Sequence, residues 1–251
     1  MFWFVWNTDE EDYSGGYMKS QRFSNICPVC GGTRFVFSSV LWPELVADWE
    51  LSEEETAYIN RQQGYACAEC GNNLRSMALA NAIMKSYAFY GTFIDFTKSD
   101  IMRTLRVLEI NEAGGLSPYL ATLPYHKLVC YPHYDMTNLD FQSGSFDLIV
   151  HSDTLEHVPD PIVGLAECRR VLIPQGRCFF TVPIVVGRLS RSRKGMKNSY
   201  HGSPEMRDND FIVHTEFGAD AWCFAAEAGF TRISIYVLEY PAGLAMEVSC
   251  R

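Results

Sequence analysis

Four cysteines fall into two pairs, Cys27-Pro-Val-Cys30 and Cys67-Ala-Glu-Cys70, at the spacing that lets two thiolates on one tight turn bite a single ion. Two such knuckles complete a closed tetrahedral sulfur site, the chemistry of structural zinc, and leave no open position for a substrate. Gly31 and Gly71 each follow a knuckle and permit the backbone angles such turns need. The other five cysteines, Cys130, Cys168, Cys178, Cys223 and Cys250, are scattered singly and read as core residues rather than ligands. Nine cysteines so distributed suit a reducing compartment better than a disulfide framework.

The second place where residue types suggest chemistry is Val107-Leu-Glu-Ile-Asn-Glu-Ala-Gly-Gly115, an apolar strand running into an acidic residue and a small-residue loop. Ser145-Phe-Asp-Leu-Ile-Val150 then repeats the strand signal. That order describes a nucleotide-binding strand-turn-helix unit followed by the strand that carries the far wall of the same pocket. The glycine pattern E-x-G-x-G-x-G is degraded here to Glu109-x-Asn111-x-Ala113-x-Gly115. Asn is the side-chain-bearing residue that best tolerates left-handed backbone, and Ala is the next smallest after Gly, so the turn keeps a workable geometry.

These residues need elements to hold them. Ser52 and Glu55 form a capping box that opens a helix over 51–64, with Gly64 as its stop, so the stretch between the knuckles carries an inserted helix. The stretch 75–90 reads as a second helix, with Leu79, Ile83 and Tyr87 on one face, bridging two domains. From residue 103 onward strands alternate with helices, which predicts a mostly parallel, doubly wound, Rossmann-like α/β sheet behind a small N-terminal zinc-binding domain with four cysteine ligands. The organisation expected is a leader over 1–20, a zinc-ribbon-like domain over 21–90 and the α/β domain over 103–251.

Further tracts in the α/β region carry a resemblance. Val107-Leu-Glu-Ile110 with Gly114-Gly115, Asp135-Met-Thr-Asn-Leu-Asp-Phe141, the tract 145–158 with its Leu155-Glu-His-Val158, and Arg170-Val-Leu-Ile-Pro-Gln-Gly-Arg177 stand in the order of the matching segments in class I S-adenosylmethionine-dependent methyltransferases of the "type 11" group. The paired knuckles followed by Arg75 also resemble zinc-ribbon leaders found on some members. The resemblance implies that Glu109, Asn111, Glu112, Gly114 and Gly115 cradle the methionine end of the cofactor, that Asp135 and Met136 flank its adenine, and that His151, Ser152 and Asp153 face the methyl group and substrate. Residues 128–131 are then the only room for the next strand, with no obvious acid for the ribose, so the sheet is expected to be abbreviated there. Methyl transfer from a sulfonium needs alignment and exclusion of water, with a base only where the acceptor carries a proton. His151, Asp153 and His201 are the catalytic candidates; His157 and His214 are also within the region, His157 with a structural role.

Arg188-Leu-Ser-Arg-Ser-Arg-Lys-Gly-Met-Lys197 is the dense basic run of an otherwise acidic chain, following the strand over 178–183. It reads either as a solvated loop or as a clamp on a phosphate or carboxylate of the acceptor, which points to a small or carrier-linked acceptor such as a sugar or anionic metabolite. A formal charge of −9 over 251 residues opposes a long nucleic acid as partner. The apolar start Met1-Phe-Trp-Phe-Val-Trp6 lacks a cationic leader and meets Asp9-Glu-Glu-Asp12, and no run approaches the roughly 20 apolar residues that span a bilayer, so a cytoplasmic protein without a membrane partner is expected. The aromatic N-terminus leaves an oligomer open. Two competing functions are an RNA-modifying methyltransferase whose ribbon docks the nucleic acid, and a non-catalytic scaffold in which the eroded glycine turn no longer binds cofactor.

Overall fold

A computed structural model describes residues 25–200 and 211–250; the leader over 1–20 and His201 lie outside the described residues. The chain opens with β1 (Phe35–Phe37), α1 (Pro43–Asp48), α2 (Glu53–Gly64) and β2 (Tyr65–Cys67). β1 and β2 pair antiparallel with Phe35 opposite Cys67, which sets the second knuckle against the first. The capping box forms in both directions: Ser52 Oγ accepts from the Glu55 amide at 3.2 Å, and Glu55 Oε2 accepts from the Ser52 amide at 2.8 Å. Gly64 is the last residue of α2 rather than a left-handed stop. A Cβ there would meet the Ser38 carbonyl oxygen at 1.8 Å, so the glycine is required by close passage of the chain.

α3 (Leu74–Ser86), capped by Asn73 accepting from the Ser76 amide, leads through α4 (Phe93–Lys98) and α5 (Asp100–Thr104) to the central sheet. That sheet runs β10-β11-β6-β5-β3-β4, built from β3 (Val107–Ile110), β4 (His126–Val129), β5 (Phe146–Ser152), β6 (Leu172–Thr181), β10 (Arg232–Glu239) and β11 (Gly243–Ser249). β4, β3, β5 and β6 are mutually parallel, while β11 runs antiparallel to β6 and β10 antiparallel to β11. Helices cover both faces, as a parallel sheet requires. The short α6 (Ser117–Leu120) follows the β3 turn, and α7 (Pro161–Val171) follows β5, with Asp160 capping the Ile162 and Val163 amides. β4 is the edge and lies over His126–Val129, two residues before the 128–131 expected; among the described residues no strand stands between Cys130 and β5. No helix among the described residues is long and apolar enough to cross a membrane.

Side chains alternate between two apolar clusters, one on each face of the sheet. Val107, Leu148, Val150 and Phe179 join α3 residues Leu74, Met77, Leu79 and Ile83 in one cluster, which continues without a break into Cys27 and Val29 of the first knuckle. Leu108, Ile149, Cys178 and Phe180 join α7 and α8 (Ala221–Glu227) on the other. Each of the four α3 side chains is fully buried, worth about 2 kcal/mol apiece. The segment expected to bridge two domains is therefore part of the main core. A third, small sheet of β7 (Ile184–Val185), β9 (Thr215–Gly218) and β8 (Arg191–Ser192) projects from the carboxyl edge.

Candidate active site and metal centre

The ligand atoms of Cys27, Cys30, Cys67 and Cys70 all lie within 4.8 Å of one another. Cys27 Sγ is 3.7 Å from Cys70 Sγ, and Cys30 Sγ is 3.6 Å from Cys67 Sγ. Tetrahedral zinc with Zn–S bonds of about 2.3 Å puts its sulfurs roughly 3.8 Å apart, so the thiol set fits that ion. Both knuckles close on the left-handed glycines the sequence suggested, Gly31 at φ +81° and Gly71 at φ +74°. Their amides donate to the Cys27 and Cys67 carbonyls at 2.8 and 2.9 Å. The Gly32 amide lies 3.3 Å from Cys30 Sγ and Asn72 Nδ2 lies 3.4 Å from Cys70 Sγ, contacts that favour thiolate.

Asn72 ties this centre to the turn after β3. A Cβ on Gly115 would sit 2.4 Å from Asn72 Oδ1, and one on Gly114 would sit 2.8 Å from Ser76 Oγ. The two glycines, expected to cradle a ligand, are thus required for the turn to pack against the second knuckle and the start of α3. Glu109 is likewise turned inward. It is fully buried, its Oε1 accepting from the Ala113 amide at 2.6 Å and its Oε2 lying 2.7 Å from His126 Nε2. With both carboxylate oxygens engaged, Glu109 shapes the turn rather than reaching out of it. Glu112 is exposed. Asn111 adopts φ +49° and accepts from the Tyr131 amide at 2.9 Å, so it holds the β4 exit against the turn.

Between the ends of β3, β4 and β5 opens a cavity of about 470 Å³, within the range of small-ligand sites. Asn111, Asp135, Met136 and Asp153 line it, together with Tyr131 and Thr154. Met136, Val158 and the tyrosines supply apolar walls for a flat ring. Asp135 Oδ1 accepts from the Thr137 amide and hydroxyl at 2.8 and 2.7 Å, which fixes the exposed carboxylate at the rim. A carboxylate beside apolar walls suits the amine edge and the faces of an adenine.

His151, expected beside the reacting atoms, does not line this cavity. Its ring is completely buried on the α7 face, stacked on Phe180 at 4.9 Å, and burial pulls its pKa down to about 4. Neither ring nitrogen has a hydrogen-bond partner among the described residues. Cys168 and Cys178 lie with it, the three ligand atoms all within 4.8 Å of one another. Ser152 is also interior, its hydroxyl 2.8 Å from that of Thr181. Asp153 is the residue that emerges, at φ +45°. It forms an ion pair with Arg75 and accepts from Gln63 Nε2 at 3.3 Å, both through Oδ2. Arg75 is buried, which pulls its guanidinium down to about 10 while Glu156 opposes the shift. Asp153 Oδ1 and Arg75 Nε are buried without a hydrogen-bond partner. His157 Nδ1 donates to the Ile212 carbonyl at 2.9 Å, and burial lowers the pKa of His214, whose amide donates to the Glu156 carbonyl at 2.7 Å.

A second cavity, about 270 Å³, lies on the far side of Asp153. Its walls come from the stretch between the knuckles, a role that sequence reading missed by treating that stretch as an insertion in the ribbon. The apolar, tryptophan-bearing Trp42-Pro-Glu-Leu-Val-Ala-Asp-Trp49 was the available signal. The basic run is neither a solvated loop nor an anion clamp in the main. Arg188, Arg191 and Arg193 all converge on buried Glu216, and Arg193 also reaches Asp48 at 2.9 Å while Arg191 reaches Glu50 at 2.9 Å. Lys194 and Lys197 are the exposed remainder.

Residues 115–180 match the family described as "Methyltransferase domain". A 42-residue stretch is 45% identical to the ubiquinone biosynthesis O-methyltransferase of Methylococcus capsulatus, over 17% of this chain and 18% of that protein. Among solved structures the chain is similar to a SAM-dependent methyltransferase of Thermotoga maritima (13% identity, 71% of this chain and 90% of that one, TM-score 0.42). It is also similar to the 1,6-didemethyltoxoflavin-N1-methyltransferase of Burkholderia thailandensis (16% identity, 86% and 94%, TM-score 0.40).

Proposed function

We propose that this chain, whose residues 115–180 match a methyltransferase-domain family, is a class I, S-adenosylmethionine-dependent enzyme that transfers a methyl group to a small or carrier-linked acceptor at the carboxyl edge of its sheet. The observation that carries the proposal is the pair of cavities that meet at Asp153, His157 and Phe211. A donor held in one and an acceptor held in the other would meet across that boundary. The two-part organisation, a zinc-ribbon-like segment over 21–90 and the catalytic domain over 103–251, goes with this reading.

The cofactor, when bound, supplies a methyl group already activated by its sulfonium. The work left to the protein is positioning and exclusion of water. In this reading Asp135 accepts from the adenine amine, Met136 and Tyr134 cover the ring, and Asn111 keeps the turn after β3 open at the cofactor's amino-acid end. An acceptor heteroatom held beside Asp153 would be placed to receive the methyl group with its lone pair, and the Asp153 carboxylate would take the proton it gives up. His157, anchored through Nδ1 to Ile212, walls the same junction. His151 has no part in the transfer, and Glu109, Gly114 and Gly115 act by holding the turn.

Calorimetry with S-adenosylhomocysteine on the metal-replete protein tests the proposal. Saturable binding is expected, and Asp135→Ala should weaken it about 10-fold, the worth of one charge-assisted hydrogen bond. An absence of heat would remove the enzymatic reading, and unchanged affinity in the variant would move the adenine elsewhere.

A further inference from the structure

We infer that the cavity between the inter-knuckle segment and the end of β5 is the acceptor pocket, and that it takes an uncharged, apolar ring compound bearing one hydroxyl group. The inference rests on the methyl-transfer reading and adds to it the class of acceptor.

The cavity's chemistry is divided. Leu41, Trp42, Leu45, Trp49, Ile59 and Pro183 form its body, and polar side chains gather at the end that Asp153 shares with the cofactor side. Trp49 is 3% exposed and its indole N–H donates to Ser199 Oγ at 2.9 Å, so its one polar atom is satisfied by the protein. A sugar lying in this body would leave most of its hydroxyls against carbon, without the hydrogen bonds they make in water. An anion fares no better. The one guanidinium at the polar end, Arg75, is already neutralised by Asp153, and the arginines of the basic run are committed to Glu216, Asp48 and Glu50. At the polar end Asp153 Oδ1, Arg75 Nε and Arg75 Nη1 are buried without a hydrogen-bond partner among the described residues, Nη1 being ion-paired with Asp153 Oδ2. A single hydroxyl offers both a donor and a lone pair to these groups, and its second lone pair stays available to the methyl carbon.

The wall is also pre-formed. Arg193 ties α1 to the small sheet through Asp48 at 2.9 Å, and Arg188 Nη1 donates to the Trp49 carbonyl at 2.7 Å. By its sequence the run reads either as a solvated loop or as a clamp on the acceptor's charge; the geometry assigns its arginines to hold the pocket's side.

The test is calorimetry on the full, metal-replete chain saturated with S-adenosylhomocysteine, titrated separately with 2-naphthol, 2-naphthoate and glucose. The expected result is saturable naphthol binding with the other two at least about 10-fold weaker, the loss that follows from one uncompensated polar group. Trp42→Ala should weaken naphthol about 10-fold while the S-adenosylhomocysteine affinity stays unchanged, because Trp42 borders only the acceptor cavity. If that variant does not fold, as judged by the same cofactor-product titration, Leu45→Phe, which fills the cavity, must give the same loss. Naphthol binding no better than glucose or naphthoate, in protein that binds S-adenosylhomocysteine, overturns the assigned acceptor class and leaves the methyl-transfer reading intact. Failure of the wild-type chain to bind S-adenosylhomocysteine overturns that reading and the acceptor role with it.

Discussion

The turns after β3 and β5 leave neighbouring parallel strands at the same edge of the sheet, with Ile110 opposite His151. Each carries a side-chain-bearing residue in left-handed backbone, Asn111 at +49° and Asp153 at +45°. Their uses diverge. The first turn spends its chemistry inward: Glu109 closes on Ala113 and His126, and Gly114 and Gly115 admit Ser76 and Asn72. The second projects one carboxylate into the junction of two cavities and leaves one of its oxygens unpartnered. A left-handed backbone angle marks both places, and both reach the larger cavity through Asn111 and Asp153, so the angle by itself does not tell which other side chains each turn directs inward. The partner across the gap decides it.

The largest effect that would sharpen this contrast is loss of the metal. Structural zinc contributes on the order of 10 kcal/mol or more to small domains, so chelation or Cys67→Ser should unfold the knuckles, free Asn72 from the first turn and abolish S-adenosylhomocysteine binding. Full affinity in metal-free protein would show that the turn stands alone. Next in size is Asp153→Asn. Removing the carboxylate breaks the ion pair and leaves Glu156 as the remaining counter-charge to Arg75, a cost of up to about 3–5 kcal/mol, and denaturant melts should show it. The paired replacement Arg75→Met with Asp153→Leu should recover stability without recovering methyl transfer, and recovered turnover would remove Asp153 from the chemistry.

His151 gives a pH signature of about 3 kcal/mol. Its pKa is depressed from 6.5 to about 4 in the fold, so the unfolded chain takes up a proton first as pH falls. Its contribution to stability is complete above pH 6.5 and declines between there and about 4. His151→Leu should flatten that stretch of the stability–pH curve and leave methyl transfer untouched, whereas a large drop in turnover would return the histidine to the site. The smallest change is Gly115→Ala, at about 1–3 kcal/mol for overpacking against Asn72. The contrast is Gly144→Ala, where a Cβ meets nothing within 4 Å and only the +70° backbone is strained; since Gly115 has no left-handed backbone, a cost near zero for Gly115→Ala would mean that Asn72 simply moves aside.

Much of the frame is legible in the residues. The capping box of Ser52 and Glu55, the β3 and β5 tracts and the four cysteines with Gly31 and Gly71 act over a few positions of chain, where spacing dictates contact. The orientation of His151 is not legible, because a parallel strand buried on both faces is apolar at every position and its alternation bears no label for which side is the crevice. Nor does a count of cations over residues 188–197 reveal that one buried glutamate at 216 consumes three of them.

Local order therefore belongs to the sequence: which segments become strands, where helices start, and which thiols converge on one ion. Tertiary packing alone decided that Asn72 fills the space over Gly115, that Asp153 meets Arg75, and that the stretch between the knuckles walls a cavity beside the sheet. Those pairings join residues tens to more than a hundred positions apart, and their energies depend on shape and burial that no short window of sequence contains.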